Sequence, residues 1–256
     1  MHRRSLLALA AALCIAAPAY ADMIASIARV QPSVLIVGGY KETNNPRFSL
    51  AGTGFVVGDG NFAVTNAHVI DRLPDADARG SLVVQVRGKE PRSWQLRKAV
   101  LVEIDTPHDL ALLRFDGPAV AALALRDSEA VREGQSIAFM GFPIGGALGF
   151  TSVTHRGMVS AVTPVALPSP SARQLNAAAI HRLREGPFEV FQLDATAYPG
   201  NSGGPMFDPE TGEVLGVINM VVIKNTKESA LSHPSGISFA VPAKFVAQLL
   251  QKQGAK

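Results

Sequence analysis

The chain has 256 residues, 47% of them hydrophobic, and its 24 Lys and Arg residues nearly balance its 21 Asp and Glu residues. This length and apolar content suffice for a sizeable core, and the balanced charge without a basic stripe argues against a nucleic-acid-binding protein. The only cysteine, Cys14, lies in a segment that we expect to be removed, which excludes disulfides, a thiolate nucleophile and a Cys-ligated metal from the mature chain.

The N-terminus has the pattern of a secretory signal peptide. Arg3 and Arg4 give it a basic start, residues 5–17 are almost entirely apolar, and residues 19–21 (AYA) match the small-x-small pattern of a cleavage site. The apolar run is too short for a stable membrane anchor, and no later segment reaches spanning length. We therefore expect residues 1–21 to be cleaved and the remaining 235 of the 256 residues to be exported, to the periplasm or beyond, without a membrane anchor. A buried first helix is the alternative.

Short β-rich runs broken by Gly, Pro and Asp follow along the chain and predict an all-β fold. Asp59 and Gly60 between two of these runs predict a tight turn, because Gly accepts the positive φ that hairpin turns require. The spacing of the runs is typical of β-barrels. In chain order they are residues 34–37, 54–57, 62–65, 82–86, 100–104, 110–115, 136–140, 190–193 and 214–223.

Two helices are expected, a short one over residues 23–30 and a clearer one over residues 242–251. In the second, Pro242 suits the first helical position, and four apolar side chains fall on one face that can dock against a sheet: Phe245, Val246, Leu249 and Leu250.

Two further segments organise the chain. Residues 167–187, with three prolines, predict a long surface loop, and the polar residues 125–134 a linker. The linker separates an N-terminal barrel over residues 22–125 from a C-terminal barrel over residues 126–256.

Three motifs carry the chemistry. Residues 65–69 (TNAHV) contain His68, residues 108–113 (HDLALL) contain Asp109, and residues 200–205 (GNSGGP) contain Ser202. Their order His, Asp, Ser, with separations of 41 and 93 residues, resembles that of chymotrypsin-fold serine proteases. That resemblance implies two six-stranded antiparallel β-barrels.

The residue types fit acyl transfer through a serine. A serine hydroxyl is a poor nucleophile at neutral pH, so a neighbouring imidazole, here His68, must accept its proton and later return it to the leaving amine. Asp109 would hold the tautomer of His68 and stabilise its charged form. The resemblance implies that the N–H groups of Gly200 and Ser202 form the oxyanion hole.

Other assignments fit parts of the same pattern. Gly200 to Gly204 also fits the G-x-S-x-G elbow of lipases and esterases, which requires a helix after the serine. His108 is a rival base, but neighbouring residues in extended chain point to opposite sides, and His155, His181 and His233 are expected to face solvent. A catalytically silent peptide-binding or holdase protein of the same fold is the alternative from another functional class.

Within this fold the chain most resembles the HtrA (Deg) proteases of bacterial envelopes. The resemblance lies in residues 51–57 (AGTGFVV), 65–70, 109–113, 141–145 (GFPIG), 157–160, 192–195 and 236–242. It implies a serine endopeptidase acting on exported or misfolded proteins, and a homotrimer. His155 and Arg156 stand where that family usually has small polar residues, and no PDZ domain fits before Lys256, which puts peptide-driven activation in doubt.

The resemblance also indicates the substrate pocket. Thr196, six residues before Ser202, corresponds to the base of the primary pocket, and because it is not an acid we expect no preference for Lys or Arg. With Ala197, Ile218 and Met220 it suggests a small or medium aliphatic side chain before the scissile bond. The histidines lack ligand spacing, so we expect no metal and no cofactor.

Overall fold

The computed structural model of the chain describes residues 23–73, 82–88, 90, 93–143, 150–164, 188–219 and 236–254. The expected signal peptide, the expected loop over residues 167–187, and Met220, His181 and His233 lie outside the described residues. Among the helices that the structure describes, none has the length and apolar character needed to cross a membrane.

The N-terminal half forms a closed antiparallel barrel with the strand order β1-β2-β3-β6-β5-β4. Alternate residues of its strands fill its interior, such as Leu35 and Val37 of β1, whereas Val34 and Ile36 belong to the core shared with the second barrel. The strands are β1 (Val34–Tyr40), β2 (Phe48–Val57), β3 (Phe62–Thr65), β4 (Leu82–Arg87), β5 (Trp94–Asp105) and β6 (Leu110–Phe115).

The C-terminal half forms a second closed antiparallel barrel, ordered β10-β11-β12-β9-β8-β7. The expected fold of two six-stranded barrels is therefore confirmed. The strands are β7 (Ser136–Gly141), β8 (Val153–Pro164), β9 (Glu189–Asp194), β10 (Pro205–Phe207), β11 (Val214–Asn219) and β12 (Ile237–Pro242).

Helices close the two ends of the described chain. Helix α1 (Met23–Val30) comes first, α2 (Ala67–Asp71) is a single short helix after β3, and α3 (Ala243–Lys252) follows β12. The four apolar residues of the predicted α3 face are all buried, as the sequence indicates.

One hydrophobic core joins both barrels to α3. Besides a core inside each barrel, a third cluster combines Phe55 of β2, Phe142, Phe207 of β10 and Phe245 of α3. Burial of large aromatic side chains contributes much of the stability of such a core, because each removes a large apolar area from water. The two barrels are thereby held against each other, and the loops that carry the three sequence motifs lie where they meet.

Candidate active site

His68 enters the site on α2, directly after β3 ends at Thr65. Asn66 precedes the helix in an extended conformation, with φ −80° and ψ 150°, so the chain changes direction before His68. The Asn66 Nδ2 amide donates to the backbone oxygen of Asp109 over 3.0 Å, and the N–H of Ala67 donates to the same oxygen over 3.1 Å. The helix carrying His68 is thereby fixed to the turn carrying Asp109.

Asp109 lies in the turn between β5 and β6 with a positive φ of 53°. It is the only non-glycine residue among the described ones with positive φ. Asp and Asn tolerate this left-handed region better than most residues, but it remains costly, and such conformations cluster at functional sites. This backbone geometry directs the Asp109 carboxylate towards α2.

The side chains of His68 and Asp109 form a dyad. His68 Nδ1 lies 2.5 Å from Asp109 Oδ2, and the His68 backbone N–H donates to Asp109 Oδ1 over 2.9 Å. One carboxylate therefore binds both the ring and the backbone of the same residue, which fixes the rotation of the imidazole. A hydrogen bond from Nδ1–H to a carboxylate leaves Nε2 as the acceptor nitrogen.

A residue outside the three sequence motifs completes this arrangement. Asn219, at the end of β11, donates from Nδ2 to Asp109 Oδ2 over 2.9 Å. Asn219 belongs to the second barrel and Asp109 to the first, so this hydrogen bond crosses the barrel interface. Its side chain is fully buried, with 1% exposure.

Ser202 lies in the loop before β10, buried to 1% exposure. The N–H of Thr53 donates to the backbone oxygen of Ser202 over 2.9 Å. The Thr53 hydroxyl donates to the backbone oxygen of Gly200 over 2.6 Å and accepts from the Phe142 N–H over 3.0 Å. A buried threonine of the first barrel thus holds the serine loop of the second. Because Ser202 is followed by a strand and not by a helix, the lipase-type elbow is excluded.

Gly200 has a conformation that other residues rarely adopt. Its φ is 105°, and it occupies the third position of a turn closed by the Asn201 N–H donating to the Tyr198 oxygen over 2.9 Å. Positive φ at that position characterises a type II turn and favours glycine. A Cβ at Gly200 would also lie 2.1 Å from the Phe142 oxygen, so no other residue fits without a shift of the backbone.

The loop of Ser202 and helix α2 both lie close to the backbone of Gly52. A Cβ on Gly52 would lie 2.7 Å from a Val69 methyl and 3.0 Å from the Ser202 backbone oxygen. Gly52 therefore lies between the serine loop and the helix of His68 and contacts both. Ser202 Oγ and His68 Nε2 are both buried, and neither has a hydrogen-bond partner among the described residues. These are the two atoms between which the proposed chemistry would transfer a proton.

The described residues that are predicted to line the substrate pocket are buried or partly buried. Thr196 is partly buried, whereas Ala197 and Ile218 are packed in the core of the second barrel, with 8% and 0% exposure. The Ala197 N–H donates to Ser238 Oγ over 2.8 Å, and Ile218 bonds to Gly203 and Gly204 through its backbone. Their contact with substrate stays a prediction.

The other described histidines have definite partners. His108 Nδ1 lies 2.8 Å from Asp105 Oδ2, and its ring stacks on Phe245 at 3.6 Å, away from the Asp109 carboxylate that binds His68. The expectation that His155 faces solvent is wrong. Its ring stacks on Phe139, its partner across the β7–β8 pair, because the pleat directs both side chains to one face.

Burial and neighbouring charges shift two pKa values near the site. Burial lowers the pKa of His155, since removing the ring from water disfavours its charged form. Burial of the Asp105 carboxyl acts in the opposite sense, but the hydrogen bond and positive charge of His108, together with Lys252, outweigh it and lower the pKa of Asp105. Within the described part of the chain, no group of three or more His, Cys, Asp or Glu side chains is arranged to hold a metal ion.

Thr53 and Asn219 could have been found from the sequence only in part. Thr53 lies within the GTG stretch that supports the resemblance, but nothing in the sequence indicates its hydrogen bonds to Ser202, Gly200 and Phe142. Asn219 ends a buried β run, and a polar residue in that position is the one available signal.

The fold is the two-barrel architecture of the chymotrypsin type, and comparison with known proteins agrees. A family model described as "Trypsin-like peptidase domain" matches residues 52–217. The chain is 32% identical over 79% of its length to a "Probable periplasmic serine endoprotease DegP-like" of Halomonas elongata, of which it covers 35%. It is 28% identical over 80% of its length to a "Serine protease HTRA2, mitochondrial" of Drosophila grimshawi, covering 39% of that protein.

Among solved structures, the "HtrA-type protease AlgW with tripeptide" has the same fold, with a TM-score of 0.61 and 24% identity over 90% of this chain and 62% of that one. The chain belongs to the trypsin-like peptidase domain family, with HtrA and DegP proteins among its relatives. It spans little more than a third of the length of the curated relatives described here.

Proposed function

We propose that the protein is a serine endopeptidase in which Ser202 attacks the scissile carbonyl, His68 takes its proton and Asp109 holds His68. The observation that carries this proposal is the dyad itself. A carboxylate 2.5 Å from Nδ1 leaves Nε2 as the free acceptor, and the buried Ser202 hydroxyl lies in the adjoining loop.

The reaction follows from these positions. As Ser202 Oγ bonds to the carbonyl carbon, its proton passes to His68 Nε2, and the carbonyl oxygen becomes an oxyanion. His68 then gives the proton to the leaving amine, which departs and leaves an acyl-enzyme. Water repeats the sequence with His68 as base, releasing the acid and restoring Ser202.

Gly200 and Ser202 supply the oxyanion donors in this proposal. Thr53 binds the backbone oxygens of both residues, and neither the Gly200 nor the Ser202 N–H donates to a described residue. Donors held in place before the reaction stabilise the developing charge without reorganisation, and losing one typically costs about 3 kcal/mol in the transition state.

The substrates proposed are exported or misfolded proteins, and the location is the periplasm or the exterior of the cell. The support is the predicted signal peptide and the DegP-like relative whose name includes the word periplasmic. Thr196 in place of an acid supports a small or medium aliphatic residue before the scissile bond. A homotrimer is proposed on family resemblance alone.

Digestion of casein tests the endopeptidase activity. Wild-type protein should convert casein to peptides, whereas Ser202→Ala should reduce the rate to background. Ser160→Ala, which removes an exposed hydroxyl on β8, is the matched control and should retain full activity. Casein bound but uncut by both wild-type protein and Ser202→Ala would contradict the proposal and favour a binding protein of the same fold.

A further inference from the structure

His155 is the one described histidine whose contacts lie on the turn before Ser202. It is half-buried on β8, where its ring stacks on Phe139 with centroids 4.7 Å apart and planes 15° from parallel. The stack fixes the ring plane, because Phe139 is fully buried in β7. The edge of the ring then faces Tyr198 and Asn201, the first and last residues of the turn that contains Gly200.

The contact with Asn201 is polar and specific. The Asn201 Nδ2 amide and His155 Nε2 lie 3.4 Å apart. An amide N–H at Nε2 requires a neutral ring with its proton on Nδ1, and burial, which lowers the pKa of His155, favours that neutral form.

Asn201 has little freedom to take another position. Its side chain is fully buried, and a Cβ on Gly141 would lie 2.7 Å from Asn201 Oδ1, so the amide fills the space that glycine leaves. Asn201 Oδ1 has no hydrogen-bond partner among the described residues. The contact with His155 is therefore the side-chain hydrogen bond that the structure gives this residue.

The position of Asn201 matters because it lies between the two proposed oxyanion donors. Its own N–H closes the turn on the Tyr198 oxygen, and its two peptide bonds lead to Gly200 and Ser202. A rotation of the Asn201 backbone would move both N–H groups. Thr53 restrains the turn from the first barrel through its oxygens, whereas His155 restrains it from the second barrel through a side chain.

We propose that His155 is a positioning residue for catalysis, which holds the turn over residues 198–201, here called the oxyanion turn, by bonding the side chain of Asn201. The inference rests on the proposed function, because the turn matters for rate only if Ser202 is the nucleophile. His155 touches neither substrate nor the reacting atoms, so its effect passes entirely through Asn201.

Three variants separate the polar contact from packing. His155→Phe keeps a ring on Phe139 and removes the acceptor, His155→Gln retains a polar acceptor of similar reach, and Arg156→Gln changes the exposed neighbour on the same strand. With a quenched peptide substrate, we expect His155→Phe to lower kcat about tenfold with KM within about twofold, since the oxyanion forms only after binding. His155→Gln should recover most of kcat, and Arg156→Gln should match wild type.

Hydrogen exchange gives a readout that does not depend on activity. The backbone N–H of Asn201, which donates to the Tyr198 oxygen, should exchange about tenfold faster in His155→Phe than in wild type. The same difference should be found when both proteins also carry Ser202→Ala. Unchanged kcat and unchanged Asn201 exchange in His155→Phe would overturn the inference, as would a loss of kcat that His155→Gln does not relieve. If wild-type protein shows no turnover, the proposed function fails, and the exchange rates still decide whether His155 holds the turn.

Discussion

The carboxylate of Asp109 receives three hydrogen bonds, from the backbone and ring of His68 and from Asn219 across the barrel interface. With this many partners the carboxylate can occupy one orientation only, and through it the ring of His68 is fixed. The arrangement makes Asp109 the residue through which both barrels act on the proposed base.

Asp109→Asn should lower kcat by about 10⁴, because an amide at this position favours the tautomer of His68 with its proton on the wrong nitrogen. Asn219→Ala, which removes one donor and leaves the carboxylate, should have a smaller effect, about 10-fold to 100-fold. Steady-state kinetics on a peptide substrate measure both. Equal effects of the two substitutions would contradict the role of the Asp109 carboxylate in setting the tautomer of His68.

Thr53 is the clearest case of a residue whose role depends on contacts between the two barrels. Thr53→Val keeps its shape but leaves the Gly200 oxygen and the Phe142 N–H without their buried partner, which should cost about 1 to 3 kcal/mol of stability. Activity should fall with it, since the oxyanion turn is released. Thr53→Ser keeps the hydroxyl and should restore activity, and denaturant unfolding together with kcat tests the pair.

The three catalytic candidates could be identified from short motifs, because their order and spacing are distinctive. Thr53 and Asn219 could not, because their partners are defined by how one barrel docks on the other. The surface position predicted for His155 is wrong because the sequence does not show that its ring stacks on Phe139 of the neighbouring strand. Local patterns contain no information about such cross-strand and cross-barrel partners.

Among the elements, the β5–β6 turn that carries Asp109 packs against α3. His108 bonds Asp105 within the turn and stacks on Phe245 of α3, and Phe188 packs edge-on against both rings. The turn that carries Asp109 in its left-handed conformation is therefore anchored to the C-terminal helix. This contact explains why α3 belongs to the same core as the two barrels.

Asp105 should make stability depend on pH on the acid side. Its pKa is lowered in the folded protein, so its contribution is present above the unfolded pKa of about 3.9 and is lost as pH falls through the lower folded pKa. Asp105→Asn should be less stable than wild type near neutral pH, and the difference should shrink towards about pH 2. Urea unfolding at several pH values measures it, and a difference independent of pH would contradict the role given to the charge.

Most strands were predictable, because short apolar runs between Gly, Pro and Asp mark them, and α3 was predictable from its apolar face. Strand ends were not, and β5 begins six residues earlier than its apolar run, at Trp94. Its exposed polar residues pair with β4 through the backbone, which side-chain patterns do not record. The three-residue β10 is too short for any periodicity to show.

For the molecule as a whole, the central feature is that the proposed site is shared. His68 and Asp109 come from the first barrel, and Ser202 and Asn219 come from the second. The resemblance to chymotrypsin-fold proteases predicted this division, whereas composition and strand spacing predicted only barrels. The common core of both barrels and α3 gives the interface its rigidity, because buried aromatic side chains pack there in fixed positions.

Covalent labelling by a fluorophosphonate probe tests the central claim most directly. Folded wild-type protein should form one adduct, on the peptide that contains Ser202, and labelling should be lost in Ser202→Ala and in unfolded protein. This result requires a hydroxyl activated by its surroundings and so tests nucleophile, base and oxyanion donors together. Failure of the folded protein to label, or labelling that is identical in Ser202→Ala, would contradict the account.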